Sequence, residues 1–262
     1  MGAVIETKIN HLLKSIPSGM VLISSWLAEN GYSYELQRRY RNSGWFESIG
    51  SGAMKRTGEK ISYDGALYAL QTQADSHIHP GGRTALSMLG KAHYLELDIR
   101  KVVFFGYDGE RLPAWFKNYE WNVEINYHAT SFLPASLGLE SVEMKSFSLK
   151  VSGAARAMME CLHLTPNRQE ISECYELMEG LNNLVPKKVQ QLLEACSSIK
   201  VKRLFLYMAE KAGHDWFKHL NLKNINLGEG KRSLTSNEKG VYIDKYKIVV
   251  PQSLYNNGKG NI

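Results

Sequence analysis

The chain has 262 residues, 44% of them hydrophobic, with a net charge of +6 and a pI near 9.0. That length holds one large domain or two modest ones, with enough apolar residues for real cores. No apolar run reaches about 18 residues, so no membrane-spanning helix is expected. The three cysteines, Cys161, Cys174 and Cys196, lack metal-ligand spacing and fit buried thiols in a reducing cytoplasm.

The first residues, MGAVIETKINHLLKS, are amphipathic and carry Glu6, unlike a secretory signal. Gly2 does not make a myristoylation site, because Glu6 stands where Ser or Thr is needed. Ile9, Leu12, Leu13 and Ile16 predict a helix over 6–15, broken by Pro17, Ser18 and Gly19. Residues 20–29 read as a second apolar helix through Val21, Leu22, Trp26 and Leu27, stopped by Asn30-Gly31. Ser33 can cap a third helix, with Glu35 in its first turn. Leu36 and Tyr40 then face inward, and Gln37, Arg38 and Arg41 fall outside that face. Gly44 ends the helix. Trp45–Ile49 and Ala53–Arg56 read as strands joined by Gly50-Ser51-Gly52. Residues 62–74 and 83–91 read as helices with Leu67, Leu70, Leu86 and Leu89 in the core. Helix, helix, turn, helix and a two-stranded wing make a winged helix-turn-helix.

After residue 98 the texture changes. KVVFFGYDG, WNVEINYHATSF and VEMKSFSLKVS read as three strands, followed by helices near 152–163, 169–181, 186–197 and 199–212. GVYIDKYKIVVP reads as a final hairpin, and NNGKGNI as a loose end. The expected fold is α+β: a winged helix-turn-helix domain over 1–97, then a mixed α/β domain over 98–262, with the boundary near 94–100. If the two cores are independent, a lesion in one domain spares the other.

Between Gln37 and Arg56 lie five basic residues and one acid, whereas residues 1–98 as a whole hold ten basic and nine acidic residues. The clustering, not the total, points to a polyanion. Cations that neutralise duplex phosphates release condensed counterions, and Arg and Gln pair with guanine and adenine edges. The helix after the turn is the one that enters the major groove in helix-turn-helix proteins. Lys55 and Arg56 would then meet backbone or minor groove. The plainer reading is a solvated cationic face on a protein-docking module.

Other segments yield less. In SHIHPGGRT, His77 and His79 alternate as strand ligands would, but no partner ligands are visible, and no metal is expected. The paired glycines could form an anion nest, although a tight turn leading to Thr84 explains them better. LGEGKRS resembles the end of a P-loop, but Gly228 and Gly230 are too close. Arg232 also occupies the position of the magnesium-binding Ser or Thr, so nucleotide hydrolysis is rejected. From Pro186 to Lys223, eight basic residues face three acids, interleaved with apolar positions as in ordinary amphipathic helices. No G-x-S-x-G, H-E-x-x-H or site-like carboxylate pair occurs, so no enzyme and no cofactor are expected.

GWFESIGSGAMKRTG, YDGALYALQTQ and HPGGRTALSMLGKAHYL, taken in order, resemble the N-terminal winged-helix domain of the AbiEi family. These proteins are antitoxins of type IV toxin–antitoxin systems that double as transcriptional regulators. KVKRLFLYMAEKAGHDWFKHLNL, INLGEGKRS and GVYIDKYKIVVP resemble the C-terminal half of the same family. The resemblance implies a recognition helix over Ser33–Arg41, with Ser33, Tyr34, Gln37, Arg38, Arg39 and Arg41 toward DNA, and a wing from Trp45 to Lys55 and Arg56. It implies that the N-terminal domain binds inverted repeats in its own promoter. The C-terminal domain would counteract an AbiEii-like nucleotidyltransferase toxin without a stable complex, with Arg203, Lys231 and Arg232 at family-like basic positions. Two alternatives stay open: a winged-helix repressor with a ligand-sensing or dimerising second domain, and a nucleic-acid-processing enzyme.

Overall fold

The computed structural model describes residues 7–91, 101–233 and 240–256. The Thr7 hydroxyl accepts from the Asn10 N–H and opens α1 (Lys8–Ser15), which buries Leu12. The chain then enters a short strand, β1 (Leu22–Ile23), before α2 (Ser24–Glu29). This corrects the continuous helix expected over 20–29. Met20, Val21, Leu22 and Ile23 are all buried, so consecutive side chains need cover on both sides, which an extended segment receives and a surface helix does not. The Gln73 amide completes the strand's hydrogen bonding. Its Oε1 accepts from the Ile23 N–H at 2.7 Å, and its Nε2 donates to the Val21 carbonyl at 2.9 Å.

The third helix, α3 (Tyr34–Asn42), starts where the Ser33 hydroxyl accepts from the Leu36 N–H at 3.3 Å. The wing follows as β2 (Phe46–Gly50) and β3 (Ala53–Arg56), and β1 pairs on the other edge of β3. Helix, strand, two helices and a three-stranded sheet make a complete winged helix. Next come α4 (Tyr63–Gln73), β4 (His79–Pro80) and α5 (Gly82–Met88). Leu67, Leu70 and Leu86 are buried as expected, and Leu89 is half-buried. The boundary expected near 94–100 lies outside the described residues.

Beyond it, β5 (Lys101–Gly106) leads through α6 (Ala114–Asn118) to β6 (Glu124–Ala129), which pairs parallel with β5. VEMKSFSLKVS is not one strand. It is most of a hairpin, β7 (Leu139–Glu143) and β8 (Ser148–Ser152), whose turn is closed by the Met144 N–H donating to the Phe147 carbonyl at 2.8 Å. The four expected helices are α7 (Ala154–Leu164), α8 (Ile171–Glu179), α9 (Pro186–Ala195) and α10 (Ile199–Lys211). The last sheet holds β9 (Arg232–Ser233), β10 (Gly240–Ile243) and β11 (Ile248–Pro251), in the order β10-β11-β9, before α11 (Gln252–Asn256). The tail after Asn256 lies outside the described residues.

The two halves do not have separate cores. Antiparallel pairing of β4 with β5 joins them in one sheet. Helix α5 packs on α7, which is buried at every residue from Ala155 to Leu162. Gly50, at the wing tip, lies against Trp115 of α6. A Cβ there would sit 2.8 Å from the Trp115 Cβ, and its φ of +146° also favours glycine. Buried apolar side chains form one continuous core from Leu12 to Leu254.

Candidate nucleic-acid interface

On α3, Tyr34, Arg38 and Arg41 recur at i, i+4 and i+7, which places them on one stripe. Tyr34 is 63% exposed, Arg38 and Arg39 are exposed, and Arg41 is half-buried. None of the three guanidiniums has a hydrogen bond or ion pair with another described residue. Three like charges within four residues, with no ion-paired carboxylate among the described residues, leave a patch that phosphate oxygens would complement. Trp45 extends it just past the helix and is 46% exposed.

Gln37 is corrected. It is 1% exposed, and its Nε2 donates to the Ser24 carbonyl at 2.9 Å and the Tyr32 carbonyl at 2.7 Å. It ties α3 to the start and end of the α2 segment and presents nothing outward. Gln37→Ala should therefore lower folding stability by about 1–3 kcal/mol, since two carbonyls lose their donor. Denaturant titration checks this, and an unchanged midpoint would return Gln37 to the surface role.

The cations of the wing are already engaged. Lys55 Nζ lies 2.7 Å from Glu47 Oε1 and donates to the Glu59 carbonyl at 2.7 Å. Arg56 donates through one terminal nitrogen to the Leu13 and Ile16 carbonyls, both at 2.5 Å, and through the other to Glu59 at 3.4 Å. Arg56 thus satisfies carbonyls left open at the end of α1, where a helix lacks internal donors. Most of the cationic surface expected at the wing is folded back onto the protein.

Both histidines of SHIHPGGRT have partners within the protein. His79 is buried, with Nδ1 at 2.6 Å from the His77 carbonyl and Nε2 at 3.3 Å from Glu160. Among the described residues no group of three or more His, Cys, Asp or Glu could hold a metal. Of the paired glycines, Gly81 donates its N–H to the Val103 carbonyl at 3.0 Å, and Gly82 meets an anion, which is the protein's own. Gly82, at φ +50°, donates its N–H to Glu160 Oε2 at 2.9 Å. Ser152 Oγ and Arg156 Nε complete the shell of this fully buried carboxylate at 2.7 and 2.9 Å. Sequence reasoning missed Glu160, because its partners come from four separate elements. HPGGR was the one local hint.

Residues 5–97 match the family model described as the N-terminal domain of the AbiEi antitoxin transcriptional regulator. Residues 99–251 match that of the AbiEi antitoxin transcriptional regulator of type IV toxin–antitoxin systems. The chain belongs to the AbiEi family. That makes it an antitoxin and transcriptional regulator, not an enzyme. Among solved structures, the fold of this AbiEi-family chain is similar to the crystal structure of the RV2827C protein from Mycobacterium tuberculosis. The TM-score is 0.58 and the identity 14%, over 88% of this chain and 86% of that one. A search of curated proteins gives no match. No described helix is long and apolar enough to cross a membrane.

The C-terminal basic positions of this AbiEi-family chain differ in kind. Arg203 is 1% exposed and donates to the carbonyls of Leu227, Gly228, Gly230 and Lys247 at 2.8–3.1 Å. It shapes the INLGEGKRS loop from within. Lys231 is exposed, its ammonium 4.7 Å from the centre of the Tyr242 ring. Arg232 lies in β9, parallel to β11, and its side chain is outside the described set. Much of the basic run from Pro186 to Lys223 is likewise committed internally. Lys188 pairs with Glu140 and Lys218 with Asp215, and Lys211 donates to the Tyr255 carbonyl.

Proposed function

We propose that this AbiEi-family protein represses its own operon by laying α3 in the major groove of operator DNA containing inverted repeats. The observation that carries this reading is the exposed stripe of unpartnered arginines on the third helix of a winged helix. Arg38 and Arg41 reach base edges, Arg39 and Tyr34 meet the sugar-phosphate backbone, and Ser33 sets the helix start. The wing adds little, because Lys55 and Arg56 are held by the protein. The C-terminal segment counteracts an AbiEii-like nucleotidyltransferase toxin without a lasting complex, and Lys231 and Arg232 on the loop shaped by Arg203 are its candidate contacts.

The test is Arg38→Ala combined with Arg41→Ala. Losing a bidentate base contact costs about 1–3 kcal/mol and relaxes specificity at that position. Mobility shift on the promoter fragment should show that loss, and a reporter should show derepression, while cells carrying the toxin stay protected. Wild-type operator affinity would remove α3 from the groove. Loss of protection in a folded variant expressed at the normal level would mean that repression alone protects.

A further inference from the structure

On the C-terminal half, well apart in sequence from α3, a cavity of about 420 Å³ opens between the end of β6, the end of α7 and the start of α10. That volume falls within the range of small-molecule sites, about 300–1,000 Å³. Tyr127, His128, His163, Asn167, Arg168 and Lys200 contribute to its polar lining, and among the described residues no carboxylate lines it. Four basic groups converge there from three stretches of chain.

Each is held in place. Arg168 donates to His128 Nδ1 at 2.7 Å. A guanidinium can only donate, so a neutral His128 carries its proton on Nε2 and offers a second donor. Arg168 has no other partner among the described residues, so its remaining N–H groups are free to donate. Lys200 is anchored by the carbonyls of His163 and Thr165 at 2.8 and 2.7 Å. The His163 ring stacks on Phe132 at 4.4 Å and 11°. Burial and the Arg168 charge hold the His128 imidazole below its ordinary range. Burial, Lys200 and His128 do the same for His163, against the opposing pull of Glu160. Arg168 and Lys200 thus bring two cations to the cavity beside two imidazoles.

We propose that this cavity binds a small phosphate-bearing anion, with Arg168, His128, His163 and Lys200 around the phosphoryl oxygens. Arginine beside a second cation suits the tetrahedral oxygens of phosphate. The adjoining cleft explains why the ligand is small rather than a nucleic-acid strand. It shares Asn167 and Arg168 but continues along Glu170, Glu173 and Glu176, and its Arg83 is paired with Glu173 at 2.6 Å. A strand running on from the basic cavity would meet carboxylates.

The imidazole resonances of His128 and His163 in the full-length protein report directly on the cavity. Titrations with inorganic phosphate, pyrophosphate, AMP and a non-operator duplex, at constant ionic strength set with chloride, separate the sources. Saturable shifts with a Kd below about 1 mM are expected for at least one small phosphate compound. Equal response to phosphate and AMP would place recognition on the phosphoryl group alone, and response to AMP only would identify a nucleotide. Arg168→Gln should weaken binding at least about tenfold with the melting midpoint unchanged, since Arg168 is exposed. Arg168→Lys, which keeps the charge, should recover part of the affinity. The proposal is overturned by absence of saturable shifts, by undiminished affinity in Arg168→Gln, or by shifts seen with the duplex alone.

Discussion

Glu160→Ala is expected to lower folding stability by about 3–5 kcal/mol, the usual consequence of removing one member of a buried charge pair. Arg156 and the Gly82 N–H would lose their carboxylate partner, and so would His79 and Ser152. Glu160→Gln keeps the shape but leaves Arg156 with an uncompensated charge, so it should recover only part of the loss. The same residue predicts acid sensitivity. Burial alone would raise its pKa, but the hydrogen bond and charge of His79, with Arg156 and Ser152, outweigh burial and lower it from the ordinary 4.5. The unfolded chain therefore binds this proton more tightly than the native protein. The contribution is complete above about pH 4.5 and disappears as the pH falls toward the depressed native value. Denaturant titrations of wild type and Glu160→Gln at neutral and acid pH should converge on the acid side. Parallel curves would mean that Glu160 is neutral in the folded protein.

Arg203→Ala should be about as costly, roughly 3–5 kcal/mol, because a fully buried side chain leaves four carbonyls without a donor. Arg203→Lys should not rescue it, since one ammonium cannot span four acceptors that a planar guanidinium reaches. Lys231→Ala, on the outside of the same loop, should cost no more than about 1 kcal/mol, the upper end for an exposed cation–π contact. Thermal unfolding of the three variants separates these cases. If Arg203→Ala melts with wild type, the loop is not organised from within.

The contrast between Arg203 and Lys231 shows where the sequence was readable. Helices α7 to α10 and the final hairpin follow local periodicity, and so did α3 with its Ser33 cap. The winged-helix order was legible except for β1. There the pairing partner, Met54, and the Gln73 amide lie tens of residues away, so no local pattern marks Leu22 as a strand. Gln37 sits at the edge of the inner face of α3. Its polarity argued outward, and only the meeting of α2 with α3 supplies the carbonyls that draw it in. Arg203 did carry a signal. It stands in a helix buried at every residue from Val201 to Ala209, where a cation must have internal acceptors. The acceptors themselves come from two remote loops.

The β4–β5 pairing bears on how such a protein can change over generations. Two family models meet near residue 98, which invites the picture of exchangeable modules. Yet an ancestor that kept residues 99–251 and acquired a new N-terminal partner would inherit a bare sheet edge at β5. It would also inherit an uncovered face on α7, a Trp115 lacking its glycine, and a buried Glu160 short of the His79 and Gly82 donors. An open edge of that kind is a template for aggregation. Parting the two segments would therefore open this seam, whereas the outer face of α3 lies away from it and can vary without disturbing it.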